Sequence, residues 1–154
     1  MKKLSLIPLL SLIFMLNVAS MCSDDDDSNT SADPTPVINT VTSGTWRITF
    51  YEDSGVDETY HFTGYNFTFG ASNVLTASNG TNTYTGTWSV TNSDSNDDSP
   101  SNDLDFNILF ATPAVFADEL SDDWDILSRT DTKIELVDVS GGNGGTDYLT
   151  LEKN

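Results

Sequence analysis

Gly44-Thr45-Trp46-Arg47-Ile48-Thr49-Phe50-Tyr51 decides how the rest of the chain is read. Trp46, Ile48 and Phe50 alternate with Arg47, Thr49 and Tyr51, the two-residue period of a strand with one buried face. The opening triplet returns 42 residues later as Gly86-Thr87-Trp88, again in a strand-like run. The repeat fits either an old duplication or two equivalent corners of a closed sheet, where glycine relieves a bend and tryptophan fills the space beneath it.

Working outward, the segment 59–69 is rich in β-branched and aromatic residues. It places Tyr65, Phe67 and Phe69 on one face, with Gly64 marking a bulge. Residues 74–78 and 82–91 flank Asn79-Gly80, a hairpin signal. The run 92–103 is polar and acidic and reads as a solvent loop. After it, Leu104, Phe106, Ile108 and Phe110 point inward along one strand. Thr112-Pro113 starts a short helix over 113–120. Segments 123–128 and 133–139 form a further hairpin, a glycine-rich loop follows, and 147–153 is the last strand. The fold predicted is all-β: an antiparallel up-and-down meander of about eight strands closing into a small barrel, with one short helix near 113–120. Closure removes the long edges that an open meander would expose.

With Gly44-Thr45-Trp46 as a G-x-W opening, this meander and the ending from Trp124-Asp125-Ile126 through Leu151, residues 43–154 resemble the lipocalin-like domains of bacterial lipoproteins. The resemblance implies a basic residue packed over the first tryptophan; Arg129 is the candidate, unless that contact is missing here. Trp46, Phe50, Tyr65, Phe67, Phe69, Trp88, Phe106 and Trp124 form a candidate pocket for a small apolar ligand. The same rings could equally fill the barrel, because strands of this length make a squat one.

Lys2 and Lys3 precede an apolar run from Leu4 to Leu16 and a small-residue approach to Cys22. This is a secretory signal over 1–21, too short and too interrupted by Pro8 to be a membrane span. Ala19-Ser20-Met21-Cys22 resembles the lipobox of a bacterial lipoprotein, which implies acylation at Cys22. Ser23, Asp24, Asp25, Asp26 and Asp27 resemble the surface-export signal of Bacteroidota-type lipoproteins. Residues 22–42 then read as a disordered acidic tether, since Ser, Asn, Thr, Asp, Pro34 and Pro36 offer little apolar periodicity.

From Cys22 onward four bases face 24 acids, a formal charge of −20. That excludes nucleic acid as a partner, because no Lys/Arg footprint is present to displace counterions. A single cysteine excludes an intramolecular disulfide. His61 is the only histidine and reads as a plain strand residue; no nucleophile or base set accompanies it, so no enzyme activity is expected. Asp94, Asn96, Asp98 and Asp105 partly match a calcium loop. Position 6 there is Ser99 rather than glycine, and Asp105 is shorter than the usual glutamate, which leaves them a weak candidate. Asp118, Glu119, Asp122 and Asp123 read as a solvated face. No cofactor is expected.

The reading is therefore an outer-membrane, surface-anchored, monomeric lipoprotein with a non-catalytic lipocalin-like barrel. It binds a small apolar ligand or, alternatively, presents acidic loops to a protein, glycan or divalent cation with its interior fully packed.

Overall fold

Residues 32–92, 104–140 and 144–154 are described by a computed structural model. The signal over 1–21, Cys22, residues 23–27 and the Asp94, Asn96 and Asp98 positions of the weak calcium candidate lie outside the described residues.

The strands are β1 (Trp46–Asp53), β2 (Val56–Asp57), β3 (Asn66–Phe69), β4 (Val74–Ser78), β5 (Thr83–Asn92), β6 (Leu104–Leu109), β7 (Asp122–Arg129), β8 (Lys133–Val139) and β9 (Thr146–Lys153). They lie in the order β2-β1-β3-β4-β5-β6-β7-β8-β9, and β1 pairs with β9 as well. Every pairing is antiparallel. The eight strands other than the two-residue β2 thus form the closed meander that the alternation predicts. Inward positions are filled as expected by Phe106, Ile108 and Phe110 on one wall and Leu149 and Leu151 on another.

Three local expectations are corrected. The first concerns Phe50. The β1–β9 register shifts between Ile48 and Phe50, so Thr49 is an extra residue and the inward phase passes to Tyr51. Tyr51 is buried while Phe50 is only half-buried, as a one-residue insertion demands when the side-chain period is two. A second shift, between Ile126 and Ser128 of β7, leaves Leu127 exposed.

The second concerns segment 59–69, of which only β3 is a strand. Thr59–Phe62 is a 3₁₀ turn. The Thr59 amide donates to Asp57 Oδ1 at 3.0 Å, and Thr59 Oγ1 accepts from the Tyr51 amide at 2.8 Å. These bonds fold the segment back on β1. Gly64, at φ +85°, then supplies the turn into β3 rather than a bulge within a strand.

The third concerns the tether. Its last residues form helix α1 (Thr35–Val41), with Val37 and Val41 buried. Residues 37, 38 and 41 follow helical spacing. Pro36 is tolerated because first-turn amides have no intrahelical acceptor to lose. The folded domain therefore starts ahead of residue 43.

The two glycine–tryptophan triplets do different work. Gly44, at φ +102°, turns the chain into β1, and the stem of Lys153 passes close to it. The Trp46 ring is fully buried, and its Nε1 donates to Val41 O at 2.8 Å, so α1 closes this end of the barrel. Lys153 Nζ stands 5.6 Å from the Trp46 ring centre. It takes the place expected for Arg129, which instead donates to Thr40 Oγ1 at 2.7 Å. Gly86 keeps ordinary φ but has no room: a Cβ there would lie 2.3 Å from Leu109 O and 2.8 Å from Phe110 Cδ1. Absence of a side chain at Gly86 lets β5 and the end of β6 approach.

Candidate functional site

The rings expected to line a pocket are packed against one another. Phe69 lies edge-on to Trp88 and to Phe106, with centroids 5.5 Å apart in both pairs, and Trp88 stacks on Phe106 at 6.2 Å. Tyr51 meets Trp124 at 6.5 Å. Trp46, Phe67, Phe69, Trp88, Phe106 and Trp124 are all buried, whereas Phe50 and Tyr65 are half-buried. The candidate lining is thus core in six of its eight positions. A solvent-open depression of about 230 Å³ involves Asn73, Thr87, Trp88, Ser89, Asn107, Ile108 and Leu109.

The end of the barrel opposite Trp46 is closed by helix α2 (Ala114–Glu119). Phe116 enters a ring cage made by Phe62, Tyr65, Phe67, Tyr84 and Phe110, with centroid separations of 5.1 to 6.0 Å. Both flanks of the helix are tied down. The Phe110 amide donates to Ser121 Oγ at 2.9 Å, and Trp124 Nε1 donates to Leu120 O at 3.1 Å. Sequence reasoning places a helix here; that its phenylalanine plugs the barrel needs the three-dimensional arrangement.

At the rim beside this plug, His61, Glu119 and Glu58 converge. His61 sits on the 3₁₀ turn, not on a strand, and its Nδ1 is 2.8 Å from the Glu119 carboxylate oxygens. One ligand-capable atom from each of Glu58, His61 and Glu119 falls within 4.8 Å of the other two, and all three residues are half-buried. Their grouping has a local cause. A 3₁₀ helix has three residues per turn, so Glu58 and His61 eclipse on one face, and the His61 amide donates to Glu58 O at 3.0 Å. Glu119 arrives from the last turn of α2, in the acidic stretch that reads as solvated. The i, i+3 spacing of Glu58 and His61 is the one sequence signal that could have found the pair.

The bases are gathered at one end, whereas acids stand at both. Antiparallel order puts Arg47, Lys153, Lys133 and Arg129, all four bases downstream of residue 22, at the Trp46 end. The far rim carries Asp53, Glu58, Glu119 and Asp147. Burial pushes the Tyr51 phenol up, and the charges of Asp147, Glu119, Asp53 and Glu58 push it further. Burial also raises the Glu119 carboxyl; the hydrogen bond and charge of His61 oppose this, and Glu58 and Asp53 add to it.

Asp122 is pushed up to about 6 by loss of hydration, with the Asp123 side chain and the Asp138 charge acting in the same direction and the Asp123 amide opposing them. Asp138 is raised too, chiefly by burial. A carboxylate that holds its proton more tightly when folded stabilises the fold below its unfolded pKa, and that stability is lost as pH rises through the folded value. The domain is therefore expected to be more stable at pH 5 than at pH 7. Asp33, Asp57 and Glu135 are shifted the opposite way, but Asp33 and Asp57 are exposed and Glu135 is only half-buried, so solvent screens all three. Asp122→Asn should raise stability at pH 7 by about 1 kcal/mol, a value reduced for solvent screening of this largely exposed residue. It should also flatten the pH dependence. Urea unfolding at the two pH values checks this; a wild type less stable at pH 5 would contradict it.

No protein-family model matches the chain, and no curated protein does. Among solved structures it is similar to a DUF4847 family protein from Bacteroides vulgatus, with 18% identity over 77% of this chain and 97% of that chain and a TM-score of 0.46.

Proposed function

We propose that the chain is an outer-membrane lipoprotein, acylated at Cys22 and displayed on the cell surface. Its lipocalin-like barrel works as a non-catalytic, monomeric interaction module through its outer surface and far rim. One observation carries the choice over an internal apolar ligand: the aromatic set that would line a calyx packs ring on ring, with Phe116 inserted from one end and Trp46 capped by α1 at the other. An apolar ligand would have to displace that core. The anchor reading is supported by the apolar segment ahead of Ala19-Ser20-Met21-Cys22 and by the five residues Ser23, Asp24, Asp25, Asp26 and Asp27 after it. With two of its four bases already paired to Glu152 and Glu135, the Trp46 end offers anionic lipid no basic face, so membrane residence falls to the acyl anchor alone.

Two measurements test the two halves. Mass spectrometry of the protein from its membrane should find an acylated Cys22 as the first residue, lost in Cys22→Ser, and protease added to whole cells should remove the domain. An unmodified cysteine or a protected domain refutes anchoring or display. Titration of tryptophan fluorescence with fatty acids, retinoids and haem should give no saturable change; a saturating response to any of them refutes the filled barrel.

A further inference from the structure

We propose that Glu58, His61 and Glu119 form a binding site for a divalent transition-metal ion of the zinc class, which fastens the plug helix to the 3₁₀ turn at the far rim. One imidazole nitrogen and two carboxylate groups are a donor set that zinc-class ions take in three-ligand sites, with a further position left for water. It is a poor set for Ca²⁺ or Mg²⁺, which prefer oxygen alone.

The geometry is close to what such an ion needs. With metal–ligand distances near 2.1 Å, tetrahedral ligands stand about 3.4 Å from one another. The three donor atoms already lie within 4.8 Å of each other, with His61 Nδ1 and Glu119 at 2.8 Å. The pair has to open by about 0.6 Å and Glu58 to close by at most about 1.4 Å, distances within reach of side-chain rotation. The donors are also prearranged. Glu58 and His61 share one face of a turn whose start is pinned by the Glu58 amide donating to Tyr51 O at 3.0 Å. His61 is flanked by Tyr60, ring centres 4.1 Å apart, and by Phe62, which limits its rotation. Glu119 is held by α2, whose Phe116 is buried in the ring cage.

A second observation points the same way and is independent of the donor atoms. Asp53 and Asp147 add charge to the neighbourhood, and every lysine and arginine downstream of residue 22 stands at the opposite end of the barrel. His61 is the one side chain there able to carry positive charge. A bound dication would neutralise both glutamates and replace the direct His61–Glu119 contact.

The test uses untagged full-length protein in detergent, stripped with a chelator and titrated with ZnCl₂ in a calorimeter. It is repeated with Co²⁺, whose visible bands report ligation. The wild type should bind one tight equivalent at neutral pH, more weakly as the medium is acidified because the ligands must lose protons. Excess Ca²⁺ or Mg²⁺ should not compete. His61→Ala and Glu119→Gln should each weaken binding at least tenfold and abolish the Co²⁺ bands. Glu58→Gln lies on a surface turn and should also weaken binding, keeping the test readable if either other variant misfolds. No saturable uptake of either ion by wild type, or binding unchanged in Glu58→Gln and His61→Ala, overturns the site.

Discussion

Phe116→Ala is expected to lower the free energy of unfolding by about 3–5 kcal/mol, the range for emptying a buried phenylalanine site. The upper half of that range is the better estimate. Five rings surround Phe116, and they belong to the 3₁₀ turn, β3, β5, the approach to β3 and the residue that follows β6, so no single element can move in to fill the gap. A hole of this kind, lined only by rings, stays dry and accepts small apolar molecules. The variant should therefore bind benzene-sized probes that wild type ignores. Urea unfolding with an unchanged slope on denaturant measures the first effect, and probe titration the second. A loss below 1 kcal/mol would mean that α2 merely rests on the rim.

Trp46→Ala should cost about as much, roughly 3–5 kcal/mol, through a different mechanism at the other end. The substitution empties the space beneath α1, removes the donor that satisfies Val41 O, and leaves the ammonium of Lys153 without the ring it faces. Trp46→Phe separates these contributions. It keeps most of the ring and deletes the N–H, and should cost about 1–3 kcal/mol for a carbonyl stranded in a buried site. If the phenylalanine variant is as stable as wild type, α1 is held by packing alone.

The barrel was legible because most of its walls obey the two-residue period. Leu104, Phe106, Ile108 and Phe110 name their own face, and Asn79-Gly80 marks its own turn. The misread places are those where two assignments have nearly the same local cost. Thr49, Phe50 and Tyr51 are all good strand residues, so nothing in the string shows which one is extra; the packing of Tyr51 against Phe62 and Trp124 decides it. Pro34 and Pro36 suit an extended chain as well as a helix start, and α1 exists because Val37 and Val41 are buried in the core and the Val41 carbonyl accepts from Trp46. In Tyr60-His61-Phe62, aromatic residues suggest a strand until the Asp57 and Thr59 bonds turn the backbone. The rim cluster was hidden for a related reason. Glu58 and His61 are neighbours only on a three-residue helical turn, and Glu119 is 58 positions from His61 in sequence.

The way in which α1 runs into β1 bears on mechanics. The upstream chain joins the barrel at the end where β1 begins, and β1 lies alongside β9 from Trp46↔Lys153 to Glu52↔Tyr148. A pull on the upstream chain, opposed by a hold on the far rim, acts along the length of β1. Antiparallel ladder bonds run across the strands, so such a force loads the β1–β9 seam in shear, with its bonds sharing the strain together. Pulled from the other end, the same seam would open one bond at a time. A domain tethered through its N-terminus and gripped at its acidic rim is thus set in its strong direction, and single-molecule extension from the two attachment geometries should give a higher rupture force for this one.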